Sequence, residues 1–109
     1  MDENINDWIS KKITSNDVVL FMKGTPETPQ CGFSSQVVQI LNYLGIEFSS
    51  VNVLEDESIR NGIKEYTNWP TIPQPYVKNE FIGGADIVRE MFEENELKEF
   101  LKEKGIATN

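Results

Sequence analysis

Histidine is absent from this 109-residue chain, and cysteine occurs once, at position 31. The first absence removes Cys-His nucleophilic catalysis, the serine triad and imidazole acid–base chemistry. Together they remove a conventional structural zinc site, which asks for four soft ligands. One cysteine also excludes an intrachain disulfide framework and fits a reducing compartment. Long apolar runs are missing: the longest, Val18 to Met22, falls far short of the roughly 20 residues needed to cross a bilayer. Lys and Arg number 10 against 18 Asp and Glu, a formal charge of −8 with no basic stripe. That balance opposes attraction to nucleic acid or to an anionic membrane surface. The opening Met1-Asp2-Glu3 is acidic, unlike a basic or Arg-rich targeting segment, so none is expected in the chain itself.

What is present suits a single α/β domain over residues 1–109. Ile5, Trp8, Ile9 and Ile13 recur at helical spacing and predict a helix over about residues 3–15, with Trp8 serving packing. Val18 to Met22 predicts a short strand buried on both faces. The prolines of Lys23-Gly24-Thr25-Pro26-Glu27-Thr28-Pro29-Gln30 bar a helix start before Cys31. Val37, Val38, Ile40, Leu41 and Leu44 then form an apolar stripe that Gly45 terminates.

Phe48 to Val53 predicts a second strand, parallel to the first through a right-handed crossover. Ile59, Ile63 and Tyr66 mark a third helix that must end before Trp69-Pro70. Pro75 to Lys78 and Glu80 to Ile82 predict a hairpin through Asn79, with Pro75 confined to a place where no partner needs its N–H. Asp86 is expected to cap a helix carrying Ile87, Val88, Met91 and Phe92, and Asn95 a last one closed by Gly105. The order α-β-α-β-α-β-β-α-α packs as a four-stranded mixed sheet flanked by helices, the thioredoxin-like architecture.

Cys31 follows a Pro-containing loop and opens a helix. A free cysteine is usually an inert small hydrophobe of the core. Here its sulfur can meet the unpaired amides of the first turn, and Lys23 can bring a cation to the same place. Such surroundings lower a thiol pKa from about 8.5 to roughly 3.5–7.5, so a reactive thiol is the expectation. Ser34 stands where a Cys-x-x-Cys motif carries its second thiol. It can donate to a thiolate or simply serve as an early helical residue; either way no intramolecular resolving step exists.

Lys23-Gly24-Thr25-Pro26, Cys31-Gly32-Phe33-Ser34, Trp69-Pro70-Thr71-Ile72-Pro73 and Gly83-Gly84-Ala85-Asp86 occur in this order and spacing. Together they resemble a single-domain monothiol glutaredoxin of the CGFS class, over a core of about residues 16–104. The resemblance implies a thioredoxin-like (glutaredoxin) fold, glutathione binding and a glutathione-ligated [2Fe-2S] cluster delivered to other proteins. It implies Cys31 as the reactive and metal-binding residue, and Lys23 and Arg60 as contacts to the glycyl carboxylate, with Lys64 one turn beyond. The alternative for Arg60 and Lys64 is the solvated face of a helix.

Thr71-Ile72-Pro73 resembles the segment where the family holds a cis proline and pairs the Ile72 backbone with the tripeptide. An ordinary run into a strand is the alternative. Gly84 and Ala85 place free amides at a helix start, an anion site suited to the γ-glutamyl carboxylate, and Asp86 can pair with the γ-glutamyl ammonium. Many family members carry cysteine at the position of Ala85, so second-thiol chemistry there is absent. Phe33 is expected to be exposed near the thiol as a shield, and Trp69 to line the site or pack beneath it.

A [2Fe-2S] cluster takes four thiolates, so the implied carrier is a homodimer when cluster-bound and a monomer as the apo form. Its partners would be glutathione and iron–sulfur client and assembly proteins, with no nucleic acid and no membrane. The compartment implied is the mitochondrial matrix or a bacterial-type cytoplasm. The rival is an enzyme, at most a weak glutathione-dependent oxidoreductase that removes glutathione from mixed disulfides through Cys31. A third reading is a regulatory adaptor without a cofactor.

Overall fold

The computed structural model describes residues 3–109, so the acidic opening at Met1-Asp2 lies outside the described residues. The elements are α1 (Glu3–Thr14), β1 (Val18–Met22), α2 (Gly32–Tyr43), β2 (Ser49–Asn52), α3 (Glu57–Thr67), β3 (Gln74–Val77), β4 (Glu80–Phe81), α4 (Ala85–Glu93) and α5 (Glu96–Glu103). The sheet order is β2-β1-β3-β4, with β1 parallel to β2 and antiparallel to β3, and β3 antiparallel to β4.

β1 is apolar throughout because both faces of the central strand are covered. Val18, Leu20 and Met22 pack with Val37, Leu41, Val88, Leu97 and Leu101 from α2, α4 and α5. Val19 and Phe21 point the other way, to Ile9 and Ile13 of α1, Ile63 of α3, Ile72 and Tyr76. The alternation of side chains along one strand thus joins two hydrophobic layers.

Several expectations need correction. Trp8, assigned to packing, sits three residues from Ile5 on α1, yet 41% of it is exposed. Asp86 does not cap α4. Gly84 is the cap residue, extended at φ −77 and ψ −173, which puts Asp86 inside the first turn. Asn95 does hold the cap position of α5, but in a left-handed conformation and without a side-chain capping bond.

The hairpin turns through two residues, Lys78 and Asn79, both at positive φ (49° and 70°), the geometry that matches strand twist. Its lysine is tied down by the Lys78–Asp17 ion pair at 3.0 Å. Pro75 lies opposite Leu20 of β1. Its carbonyl accepts from the Ile82 N–H at 3.1 Å, so its ring nitrogen faces past the end of β4, where no ladder partner is needed.

The segments that matter for chemistry gather at one end of the sheet. β1 runs into the loop Lys23–Gln30, and the chain returns beside it to start α2 at Cys31.

Candidate functional site

The loop between β1 and α2 is a closed structure. Gly24 bridges Pro29, and the Gln30 N–H donates to the Lys23 carbonyl at 2.9 Å. Gly24 has φ +92, and a Cβ there would stand 2.6 Å from both the Gln30 nitrogen and the Thr28 oxygen. Asn52 at the end of β2 anchors it, its Oδ1 accepting from the Gly24 N–H at 2.9 Å. The loop therefore delivers Cys31 to the helix start at a fixed place.

Cys31 is the cap residue of α2, extended at φ −151 and ψ 134, and is half-buried with a free thiol. Burial pushes its pKa up, but the amides of Ser34 and Phe33, the Lys23 ammonium and the Ser34 hydroxyl outweigh this, so the net direction is down. Ser34 is fully buried, and its Oγ accepts from the Lys23 N–H at 3.1 Å. The hydroxyl proton stays available to the sulfur, so helix-turn and thiolate-donor roles coexist.

Beside this helix start a groove of about 270 Å³ is lined by Phe33, Trp69, Thr71, Ile72, Pro73, Gly84, Ala85, Asp86 and Ile87. Phe33 is 59% exposed, as expected of a residue at the second helical position. The Ile72-Pro73 peptide is cis. Gly83, at φ +142, lies against Ile87: a Cβ there would meet the Ile87 Cδ1 at 2.7 Å. The first amides of α4 have no partner within the helix and face this end of the groove. Asp86 is exposed and only loosely paired with Arg89, at 3.7 Å. The Trp69 Nε1 is buried without a hydrogen-bond partner among the described residues and would stand 3.4 Å from a Cβ on Gly84.

The candidate residues thus fall into groups. Phe33, Thr71, Ile72, Pro73, Gly84, Ala85 and Asp86 share one groove. Lys23 and Cys31 are not among its lining residues; they act on each other through the Lys23 charge, with Cys31 two residues before the lining Phe33. Arg60 and Lys64 lie a helical turn apart on α3, half-buried, in no ion pair among the described residues and outside the groove's lining. Among the described residues no three or more His, Cys, Asp or Glu side chains of the one chain gather where they could hold a metal ion. Ile87 was expected only as a helix-core residue, and it lines the groove instead; its place two residues past the Gly-Gly break was the available signal. Larger surface hollows exist, one of about 770 Å³ around Val18, Phe48 and Ile106, but it lies at the opposite end of β1 from the thiol.

A four-stranded mixed sheet with one activated thiol opening the helix after β1 defines a thioredoxin-like thiol protein. The Glutaredoxin family matches residues 18–82. An uncharacterized monothiol glutaredoxin of Synechocystis is 58% identical over 86% of this chain and 88% of its own length. A probable monothiol glutaredoxin 2 of Rickettsia typhi is 52% identical over 95% of each chain. The solution structure of a monomeric truncated mutant of Trypanosoma brucei 1-C-Grx1 superposes with a TM-score of 0.88, at 45% identity and covering 96% of this chain and 94% of that one. The chain belongs to the glutaredoxin family, and its relatives place it with the monothiol members. Relatives are also found in organelles: Arabidopsis proteins named chloroplastic and mitochondrial are 54% and 44% identical, over 87% and 93% of this chain and 55% and 60% of theirs. Among the described residues no helix is long and apolar enough to cross a membrane.

Proposed function

We propose that residues 1–109 form one glutathione-binding glutaredoxin domain, which assembles a glutathione-ligated [2Fe-2S] cluster at Cys31 and transfers it in iron–sulfur biogenesis. The observation that carries the reading is a single thiol of lowered pKa beside a groove that ends on a helix N-terminus. Glutathione offers two carboxylates, one ammonium and one thiol. The amides of Gly84 and Ala85 suit its γ-glutamyl carboxylate, and the unpartnered Trp69 Nε1–H is a further donor there. Asp86 suits the ammonium. Lys23, with Arg60 and Lys64 on α3, suits the glycyl carboxylate, and Thr71, Ile72 and Pro73 form the wall between.

The donor set fits the cluster as cargo. One chain supplies one thiolate and no histidine, and a [2Fe-2S] cluster takes four thiolates. Two Cys31 sulfurs and two glutathione sulfurs complete the count, so the cluster-bound form is a homodimer and the apo form a monomer. The exposed Phe33 ring beside the thiol is placed to keep water from such a junction. Iron–sulfur client and assembly proteins would be the partners, in a reducing interior of mitochondrial or bacterial type.

The lowered thiol also supports a second reading. The Cys31 thiolate attacks the glutathione sulfur of a protein mixed disulfide, and the protein leaves as its thiolate. A glutathione thiolate then attacks the Cys31–glutathione disulfide, giving oxidised glutathione and restoring Cys31.

Anaerobic reconstitution with iron and sulfide, followed by visible absorption and oligomeric mass, separates the two. A coloured dimer that requires glutathione and disappears in Cys31→Ser supports the carrier. Colour without glutathione, or in Cys31→Ser, overturns it; rapid turnover of a glutathionylated substrate by cluster-free monomer would favour the enzyme.

A further inference from the structure

Gln74 is a polar side chain with no solvent exposure, at the head of a strand that is otherwise apolar. Its amide is fully partnered. Nε2 donates to the carbonyls of Trp69 and Thr71, each at 3.1 Å. Oε1 accepts from the Thr67 Oγ1 at 3.0 Å, sharing that hydroxyl's one proton with the Ile63 carbonyl at 2.8 Å, and, at longer range, from the Tyr76 hydroxyl at 3.5 Å. The partners dictate the amide's orientation: carbonyls only accept, so they must meet the NH₂ end, and hydroxyls can donate to the oxygen. A carboxylate here would press oxygen against two carbonyls. An apolar side chain would leave both unpaired.

Those two carbonyls belong to the stretch between α3 and β3, which has no strand or helix ladder of its own. The same stretch contributes Trp69, Thr71, Ile72 and Pro73 to the groove. We propose that Gln74 is the positioning residue of the groove, holding the Trp69–Pro73 wall against the start of α4 and so setting glutathione affinity without touching the ligand. This rests on the glutathione reading above and extends it to a residue buried behind the site. Cys31 is mounted separately, on the β1–α2 loop, so its ionisation should not depend on Gln74.

The test compares full-length apo protein carrying Gln74→Met with its parent, well below both melting temperatures. A Trp8→Phe background leaves Trp69 as the only indole. Titration with reduced glutathione is expected to show about tenfold weaker binding in the variant. Acrylamide quenching of Trp69 should rise, while the pH dependence of Cys31 alkylation by iodoacetamide stays unchanged. Unchanged affinity and quenching in folded Gln74→Met overturns the inference. So does a parallel shift in the thiol titration, which would mark general loosening. If the parent itself fails to bind glutathione, the reading of the site falls, and Trp69 quenching alone then decides the role of Gln74. Should Gln74→Met not fold, Thr67→Val, which removes one donor to Oε1, must show smaller changes in the same direction; no change there overturns the inference.

Discussion

The Ser34 hydroxyl accepts the Lys23 N–H at 3.1 Å, joining the end of β1 to the first turn of α2 across the loop that carries the thiol. Lys23 contributes its backbone to this bond and its ammonium charge to Cys31. One residue pair therefore links the placement of the sulfur to its ionisation.

Ser34→Ala should separate these effects from the rest of the site. It leaves the Lys23 N–H without its acceptor and removes a donor from the thiolate. Stability should fall by about 1–3 kcal/mol, and the Cys31 pKa should rise. Denaturant unfolding reads the first, and alkylation rate against pH reads the second.

Lys23→Gln should also raise the Cys31 pKa, because it removes a cation that favours the thiolate. The thiol of the parent should shift upward with added salt, which screens an exposed charge. The variant should respond less to salt. An equal salt response in both proteins would show that Lys23 does not act on the sulfur.

The lowered thiol also predicts a pH dependence of stability. Cys31 titrates below the ordinary thiol value in the folded chain. The unfolded state thus binds the proton more tightly, and the stabilisation is fully present only above the unfolded thiol pKa. It is lost as pH falls through the lower, folded value. The stability difference between the parent and Cys31→Ser should therefore grow as pH rises through the thiol titration and level off near the unfolded value. Unfolding midpoints across that range measure it.

Neighbouring glycines should respond differently to a methyl group. Gly83→Ala combines φ +142 with a Cβ 2.7 Å from the Ile87 Cδ1, and should cost about 2 kcal/mol or more. It should also weaken glutathione binding by moving the start of α4. Gly84→Ala has ordinary φ and its nearest contact at 3.4 Å, so its cost should stay near 1 kcal/mol or below. Equal losses at the two positions would contradict this geometry.

Much of this arrangement was legible in the chain. Val18–Met22 reads as a buried strand because five apolar residues in succession serve two packed layers rather than one. The thiol site is legible because proline, cysteine and the helical stripe after it occur in sequence. The exposure of Trp8 is not legible in the chain, because helical spacing identifies a face but not its width, and a large ring at its edge reaches solvent. The cap of α4 was misplaced because Asp86 is a good capping residue, whereas Gly84 takes the extended geometry and starts the helix earlier. Gln74 carried little signal, since a polar residue beside prolines suggests a loop. Only the carbonyls around it reveal why it is buried.

β1 belongs to both apolar layers, but α2, which carries the sulfur at its start, belongs to only one of them. Breathing of α1 and α3 leaves the strand gripped by α2, α4 and α5, whereas loosening of α2 would carry Cys31, its cap residue, with it. Local opening on the side of α1 and α3, as read by amide exchange, should therefore proceed without dislodging the nucleophile from its perch.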